Sequence, residues 1–190
     1  MKFDIISIFD DRLYACKFEG CEEDEYHRLL KLWDDAEYLY DFFDENKKYF
    51  DTQYFKARSK NGEYDIYDFL DEVEEDFNTH MEIYLGLEKQ TLDIDNVFED
   101  LGKKDYSVCG VLSLKKKKFI RLRFYAIQIE KGLYLITGGA IKIVKAMQDH
   151  HETKSQLSCL KTVEQCLTHE GVKCSSQFYE LLKFKESIRK

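Results

Sequence analysis

The spacing of apolar and polar positions changes period several times along this chain, and each change marks an element. Lys2 to Phe9 (KFDIISIF) and Leu13 to Phe18 (LYACKF) alternate with a period of two. That pattern predicts a β-hairpin turning at Asp10-Asp11-Arg12, with Phe3, Ile5, Tyr14, Cys16 and Phe18 on one buried face. From Glu22 to Phe50 the period lengthens. Tyr26, Leu29, Leu30, Trp33, Tyr40 and Phe43 fall near helical spacing, and the pattern either runs on through Tyr49-Phe50 or breaks near Asn46. Asn61-Gly62 signals a turn. The clearest helix is Glu63 to Lys89, where Ile66, Phe69, Leu70, Val73, Phe77, Met81, Tyr84 and Leu85 form one stripe. Its other faces carry Asp68, Asp71, Glu72, Glu74, Glu75 and Asp76, read as a solvated acidic surface. A short helix or turn near Ile94–Leu101 leads to Gly102.

Beyond Lys103 the period returns to two. Strands are expected over Tyr106–Leu114, with a break or bulge at Gly110, over Phe119–Ile129, and over Leu133–Thr137, the last two joined by a turn at Glu130-Lys131-Gly132. Gly138-Gly139 marks a bulge or tight turn, after which Ala140–Val144 either resumes the strand or starts a helix. Thr153–Thr168 is helical, with Leu157, Leu160, Val163, Cys166 and Leu167 inward and Gly171 as terminator. Ser175 or Ser176 caps a last helix over Gln177–Ser187. The expected fold class is α+β, an antiparallel sheet flanked by helices. It forms one domain over 1–190, made of a hairpin (1–20), an acidic helical part (22–100) and a basic sheet-plus-helix part (103–190).

Composition supports a packed core, with 44% hydrophobic and 15% aromatic residues among 190. Proline is absent, so Gly, Asn, Asp and Ser make the turns. None of the six cysteines forms a C-x-x-C pair, no Cys/His spacing fits zinc, and the acidic helix lacks the pattern of a calcium loop, so no metal or cofactor is expected. Met1-Lys2 leads straight into a strand, and no apolar run reaches membrane-spanning length. The expectation is a cytoplasmic protein with free thiols and no membrane partner.

Charge changes the picture most. Residues 1–100 hold 29 acidic and 11 basic residues, a net charge of −18, whereas residues 101–190 hold 8 and 18, a net charge of +10. Such a split predicts either two surfaces with different partners or two halves that attract one another. The basic half concentrates its cations in Leu114–Gln148. Along Phe119–Ile129, alternation puts Arg121, Arg123 and Tyr125 on one face, expected to be exposed, and Ile120, Leu122, Phe124 and Ala126 on a core face. Lys115, Lys116, Lys117 and Lys118 precede this row, and Lys142 and Lys145 follow it. Guanidinium suits phosphate, and tyrosine stacks on bases, so the row has the footprint of a nucleic-acid site. The alternative is that Arg121 and Arg123 pair with the acidic helices. The Gly138-Gly139 turn has the backbone N–H groups to cradle an anion but lacks either phosphate-loop spacing. Gln148, His150 and His151 complete the basic neighbourhood; either histidine suits general-base work near neutral pH or sits in an exposed loop.

The strand Arg121-Leu-Arg-Phe-Tyr125, the short turn, the apolar strand Leu133-Tyr-Leu-Ile136, the glycines and the spaced lysines before a helix resemble the RelE/HigB-like toxins of toxin–antitoxin modules. The resemblance covers 114–168 most clearly, and the order of a first strand, two helices and then a sheet is also similar. It implies a RelE-like core with an acidic helical elaboration. It further implies metal-independent endoribonuclease activity on mRNA, usually ribosome-bound, and neutralisation by a cognate antitoxin. Arg121 or Arg123 would contact the phosphate, Tyr125 would match the aromatic after it, Lys142 and Lys145 the paired lysines, and Lys115–Lys118 would add charge. The chain departs from the family in spacing its lysines as Lys142-Ile-Val-Lys145, in lacking the proline that follows them, and in its acidic helix 63–89. A regulatory protein that docks a basic partner on its acidic helices, and an RNA or DNA binder that does not cleave, are the competing readings.

Overall fold

The computed structural model describes residues 2–9, 11–59, 62–100, 110–112, 121–144 and 147–188. Strands β1 (Phe3–Phe9) and β2 (Leu13–Phe18) form the expected hairpin, with Phe3 opposite Phe18 and Ile5 opposite Cys16. Five helices follow: α1 (Glu25–Trp33), α2 (Ala36–Glu45), α3 (Lys47–Phe50), α4 (Gln53–Lys56) and α5 (Ile66–Glu88). The helix expected over 22–50 is therefore three. Its first break comes at Asp34-Asp35, because the Asp35 carboxylate accepts the Glu37 and Tyr38 N–H groups (2.9 and 3.2 Å) and starts a new helix there. Asp24 caps α1 in the same way, and Asp65 with Asp68 forms a capping box on α5.

A 3-10 turn at Ile94–Asn96 precedes the short strands β3 (Phe98–Asp100) and β4 (Gly110–Leu112). The long strands β5 (Leu122–Glu130) and β6 (Leu133–Ile141) follow, and then α6 (His151–His169) and α7 (Ser175–Ile188). Ala140-Ile141 thus continues the strand. Gly171, at φ +78°, ends α6: the Gly171 and Val172 N–H groups return to the carbonyls of Thr168 and Leu167 (3.0 and 2.9 Å). Ser175 lies inside α7 rather than capping a helix that starts at Gln177. The strand expected over Tyr106–Leu114 is described only at β4. Asp10, Asn61, Gly102, Phe119 and Ile120 lie outside the described residues.

The sheet runs β1-β2-β6-β5-β4-β3. Its four longer strands are mixed rather than purely antiparallel, because β2 pairs parallel with β6 (Leu13 opposite Tyr134, Ala15 opposite Ile136). The parallel pair follows from the connection. The chain leaves β2 through a run of helices and returns to its neighbour only at β6, which a hairpin turn cannot do.

Both faces of the sheet are covered. On one, Leu13, Ala15, Leu122, Phe124, Ala126, Tyr134 and Ile136 pack under α1, α2 and α5, with Trp33 and Phe69 wholly buried. On the other, Phe3, Ile5, Tyr14, Cys16, Tyr125, Ile127, Leu133 and Leu135 pack under α6 and α7, against Leu160, Val163 and Phe178. Phe3, Ile5, Tyr14 and Cys16 of the hairpin and Leu160, Val163 and Leu167 of α6 are buried as their spacing predicts, Phe18, Leu157 and Cys166 are half-buried, and the hairpin's other face is covered as well, through Phe9, Leu13 and Ala15. The described cysteines are free. Among the described residues, no helix is long and apolar enough to cross a membrane, and no cluster of metal-ligating side chains forms.

The strand bulges immediately before the double glycine. Tyr125 faces Gly138 while Ala126 faces Ile136, so Thr137 is the extra residue, and its hydroxyl donates to the Tyr125 carbonyl (3.3 Å). Gly138 adopts φ +157°, and a Cβ on Gly139 would overlap the Arg123 carbonyl oxygen and come within 2.8 Å of Leu29. The glycines therefore let α1 lie directly on the strand that faces Arg123.

Candidate functional site

The chemistry gathers where β5 begins and β6 ends. Arg123 stands opposite Ala140, and the Lys142 N–H donates to the Arg121 carbonyl (2.7 Å), which continues the ladder one step past β6. Alternation turns Arg123 and Tyr125 toward the α6 side, together with Ala140 and Lys142. Arg123 and Lys142 are half-buried. Tyr125 is 1% exposed, and its hydroxyl has no hydrogen-bond partner among the described residues. Burial, and then the neighbouring Arg123 charge, hold the Lys142 ammonium below its ordinary pKa. Burial pushes the Tyr125 phenol up, and Arg123 pulls against that shift. The three groups therefore share one electrostatic environment.

Arg121 does not belong to this group. It is 3% exposed, not on an open face, and it lies on the α5 side. There it forms an ion pair with Glu72, and its guanidinium sits over the rings of Phe55 (4.7 Å) and Tyr64 (5.2 Å). Glu72 also accepts from Arg58 Nε (2.8 Å) and from the Tyr64 hydroxyl (2.6 Å). Burial lowers the Arg121 pKa, opposed by Tyr64 and Glu72. The two halves of the chain attract one another at this point, which is one of the two outcomes the charge split allows. The exposed row expected for Arg121, Arg123 and Tyr125 is corrected for a simple reason: α5 covers one face of the strand and α6 with α7 the other, and Arg121 precedes the first residue of β5, where strict alternation no longer holds.

Asp76 is likewise buried rather than part of a solvated face. Its carboxylate accepts the N–H groups of Arg121 and Leu122, the latter at 3.4 Å. Burial pushes its pKa up from 3.8 to about 6, against the pull of those two N–H groups and of the Arg121 and Arg123 charges. One turn later His80 is 4% exposed, and its Nε2–H donates to the Leu122 carbonyl (3.0 Å). Burial brings this ring from 6.5 down to about 4, so it is neutral at pH 7. Trp33 stacks on it at 6.0 Å and Phe124 meets it edge-on at 5.4 Å. The sequence carries a signal for these contacts: Glu72, Asp76 and His80 recur every fourth residue, a polar stripe beside the apolar one.

His150 is 1% exposed and serves packing. Its Nε2 bonds the Asn46 Oδ1 (2.8 Å), and the Tyr49 ring meets it edge-on (5.2 Å). Burial, then His151 and Lys48, lower its pKa. Gln148 and His151 are exposed near the start of α6. Lys115, Lys116, Lys117, Lys118 and Lys145 lie outside the described residues.

Comparison with protein-family models, with curated proteins and with solved structures finds no match.

Proposed function

We propose that the end of the β5–β6 pair carrying Arg123, Tyr125 and Lys142 handles RNA phosphate, and that the chain is a RelE/HigB-like, metal-independent mRNA endoribonuclease of a toxin–antitoxin module. The observation that carries this reading is the gathering of the Arg123 guanidinium and the Lys142 ammonium, its pKa lowered by burial and by Arg123, on one side of one ladder. The order of first strands, helices, then an antiparallel β4-β5-β6 meander and a helix supports it.

In this reading the 2′-hydroxyl oxygen bonds to phosphorus as the P–O5′ bond breaks, leaving a 2′,3′-cyclic phosphate and a 5′-hydroxyl. The 2′-hydroxyl proton passes to solvent, the departing 5′-oxygen takes up a proton from solvent, and Lys142 adds positive charge beside Arg123. Arg123 stabilises the charge that grows on the phosphoryl oxygens, and Tyr125, buried in the core on the same side of the strand, supports that end of β5 and does not meet the nucleotide. Arg121 is left out of the catalytic set, since its charge is committed to Glu72. Lys145 and Lys115–Lys118 add cations in this reading, and Gln148 and His151 extend the RNA surface. The partners are ribosome-bound mRNA and an antitoxin that covers the same site.

Expression in a bacterial host tests the reading. The wild-type chain arrests growth and cuts mRNA during translation, whereas the Arg123→Ala, Tyr125→Phe, Lys142→Ala triple variant does neither. Normal growth with intact mRNA for the wild type overturns it. A second reading, docking of a basic partner, is favoured by one observation: Asp71, Glu74 and Glu82 line a shallow groove of about 360 Å³ along α5. A partner recovered by the wild type and lost on neutralising these three carboxylates supports that reading.

A further inference from the structure

Three polar groups at the start of the arginine strand are held by side chains of a helix that the proposed chemistry does not use. The Arg121 and Leu122 N–H groups go to Asp76, and the Leu122 carbonyl goes to His80. The same stretch is tied to β6 through the Arg121 carbonyl and the Lys142 N–H (2.7 Å). Arg123, the next residue, therefore leaves a backbone clamped from two directions, by β6 and by α5. Asp76 spends its carboxylate on backbone N–H groups, while the neighbouring Arg121 guanidinium pairs with Glu72 instead. That division of labour is what a positioning role requires and what simple charge neutralisation does not.

We propose that Asp76 and His80 are positioning residues for Arg123, so that the acidic helix α5 is part of the site's framework and not an appended mask or docking arm. The consequence for catalysis rests on the RNA reading given above; the positioning itself does not. Displacing a catalytic cation by about 1 Å costs on the order of a hundredfold in rate, so a loosened strand start is felt at Arg123.

The test compares Asp76→Ala, Asp76→Asn, Asp76→Glu and His80→Gln in the full chain. Asn presents an acceptor oxygen at the same place without charge, and Glu keeps the charge but moves it by one methylene. Gln at position 80 retains an N–H donor. Two readouts are taken: NMR of the 121–123 amides and the Arg123 Nε–Hε group, and mRNA cleavage in a reconstituted translation reaction. Positioning predicts that Asp76→Asn and His80→Gln stay within about threefold of wild type in cleavage rate, while Asp76→Ala and Asp76→Glu lose about tenfold or more. It also predicts that in the Ala and Glu variants the Arg121 and Leu122 amides exchange about tenfold faster and the Arg123 side-chain resonance moves, while the Leu135 and Ile136 amides do not change. Should Asp76→Ala fail to fold, the contrast between Asn and Glu carries the test alone. An Arg123 resonance unmoved in Asp76→Glu, or a Glu variant as active as wild type beside an impaired Asn variant, overturns the proposal. If the amides respond as described but the wild type cuts no RNA, the RNA reading falls and the positioning stands.

Discussion

Asp76 and His80 give the protein two opposed pH dependences that cancel in the wild type, and removing either one exposes the other. Asp76 is an acid raised from 3.8 to about 6, so between those values the folded state binds more protons than the unfolded state. Stability contributed by this group is therefore full at low pH and falls as pH rises through 6. The cost of ionising it in the fold is about 3 kcal/mol at pH 7. His80 is a base lowered from 6.5 to about 4, so between those values the unfolded state binds more protons. Its contribution is full above 6.5 and is lost as pH falls toward 4, again by about 3 kcal/mol. The Leu122 backbone and the Trp33 and Phe124 rings pack against the pair, and the Arg121 and Arg123 charges act on it, none of which titrates in this range.

Urea denaturation at half-unit steps from pH 4.5 to 7.5 reads the effect as the difference between each variant and wild type, which removes the titration common to both. Asp76→Asn becomes progressively more stable than wild type as pH rises, by up to about 3 kcal/mol at pH 7.5. His80→Gln gains relative to wild type in the other direction, as pH falls. An Asp76→Asn difference that does not vary with pH, or that turns against the variant above pH 6, refutes the reasoning.

Further outcomes follow from the same contacts. Glu72→Ala leaves the buried Arg121 charge without its counterion and costs about 3 kcal/mol in urea denaturation; adding Arg121→Met recovers most of that loss, because a packed apolar side chain removes the stranded charge. Gly139→Ala drives a methyl group into the Arg123 carbonyl and Leu29, and lowers stability by about 2–3 kcal/mol in the same assay, whereas at Gly132 a Cβ meets no atom within 4 Å and only the positive φ restricts the residue. Arg123→Gln removes the like charge beside Lys142 and moves the Lys142 pKa back up, read from its side-chain NMR titration.

How far the chain can be read without coordinates is set by the range of the forces involved. Period-two alternation is local, so β1, β2, β5 and β6 and the inward sets of β2 and α6 are legible. Local chemistry also announces the bulge beside Gly138-Gly139 and the stop at Gly171. The parallel β2–β6 pairing is not legible, because it joins residues more than a hundred positions apart. The break at Asp34-Asp35 was available as a capping signal but is hidden inside an apolar repeat that runs through it. The site shows the same division. Arg123, Tyr125 and Lys142 come from local pattern, and the structure brings them together. That Arg121 turns inward to Glu72, and that Asp76 is buried rather than solvated, depends on which face α5 lays on the sheet. A charge count cannot distinguish a carboxylate facing water from one facing two backbone N–H groups.

The most direct test of the account is mRNA cleavage in a reconstituted translation reaction, mapped by primer extension, with purified wild-type protein and with Arg123→Ala and Lys142→Ala. The account predicts discrete cuts that leave 2′,3′-cyclic phosphate ends, insensitive to chelators, and reduced about a hundredfold or more in each variant. Intact mRNA with the wild type, or cuts that persist at full rate without Arg123 and Lys142, contradicts it.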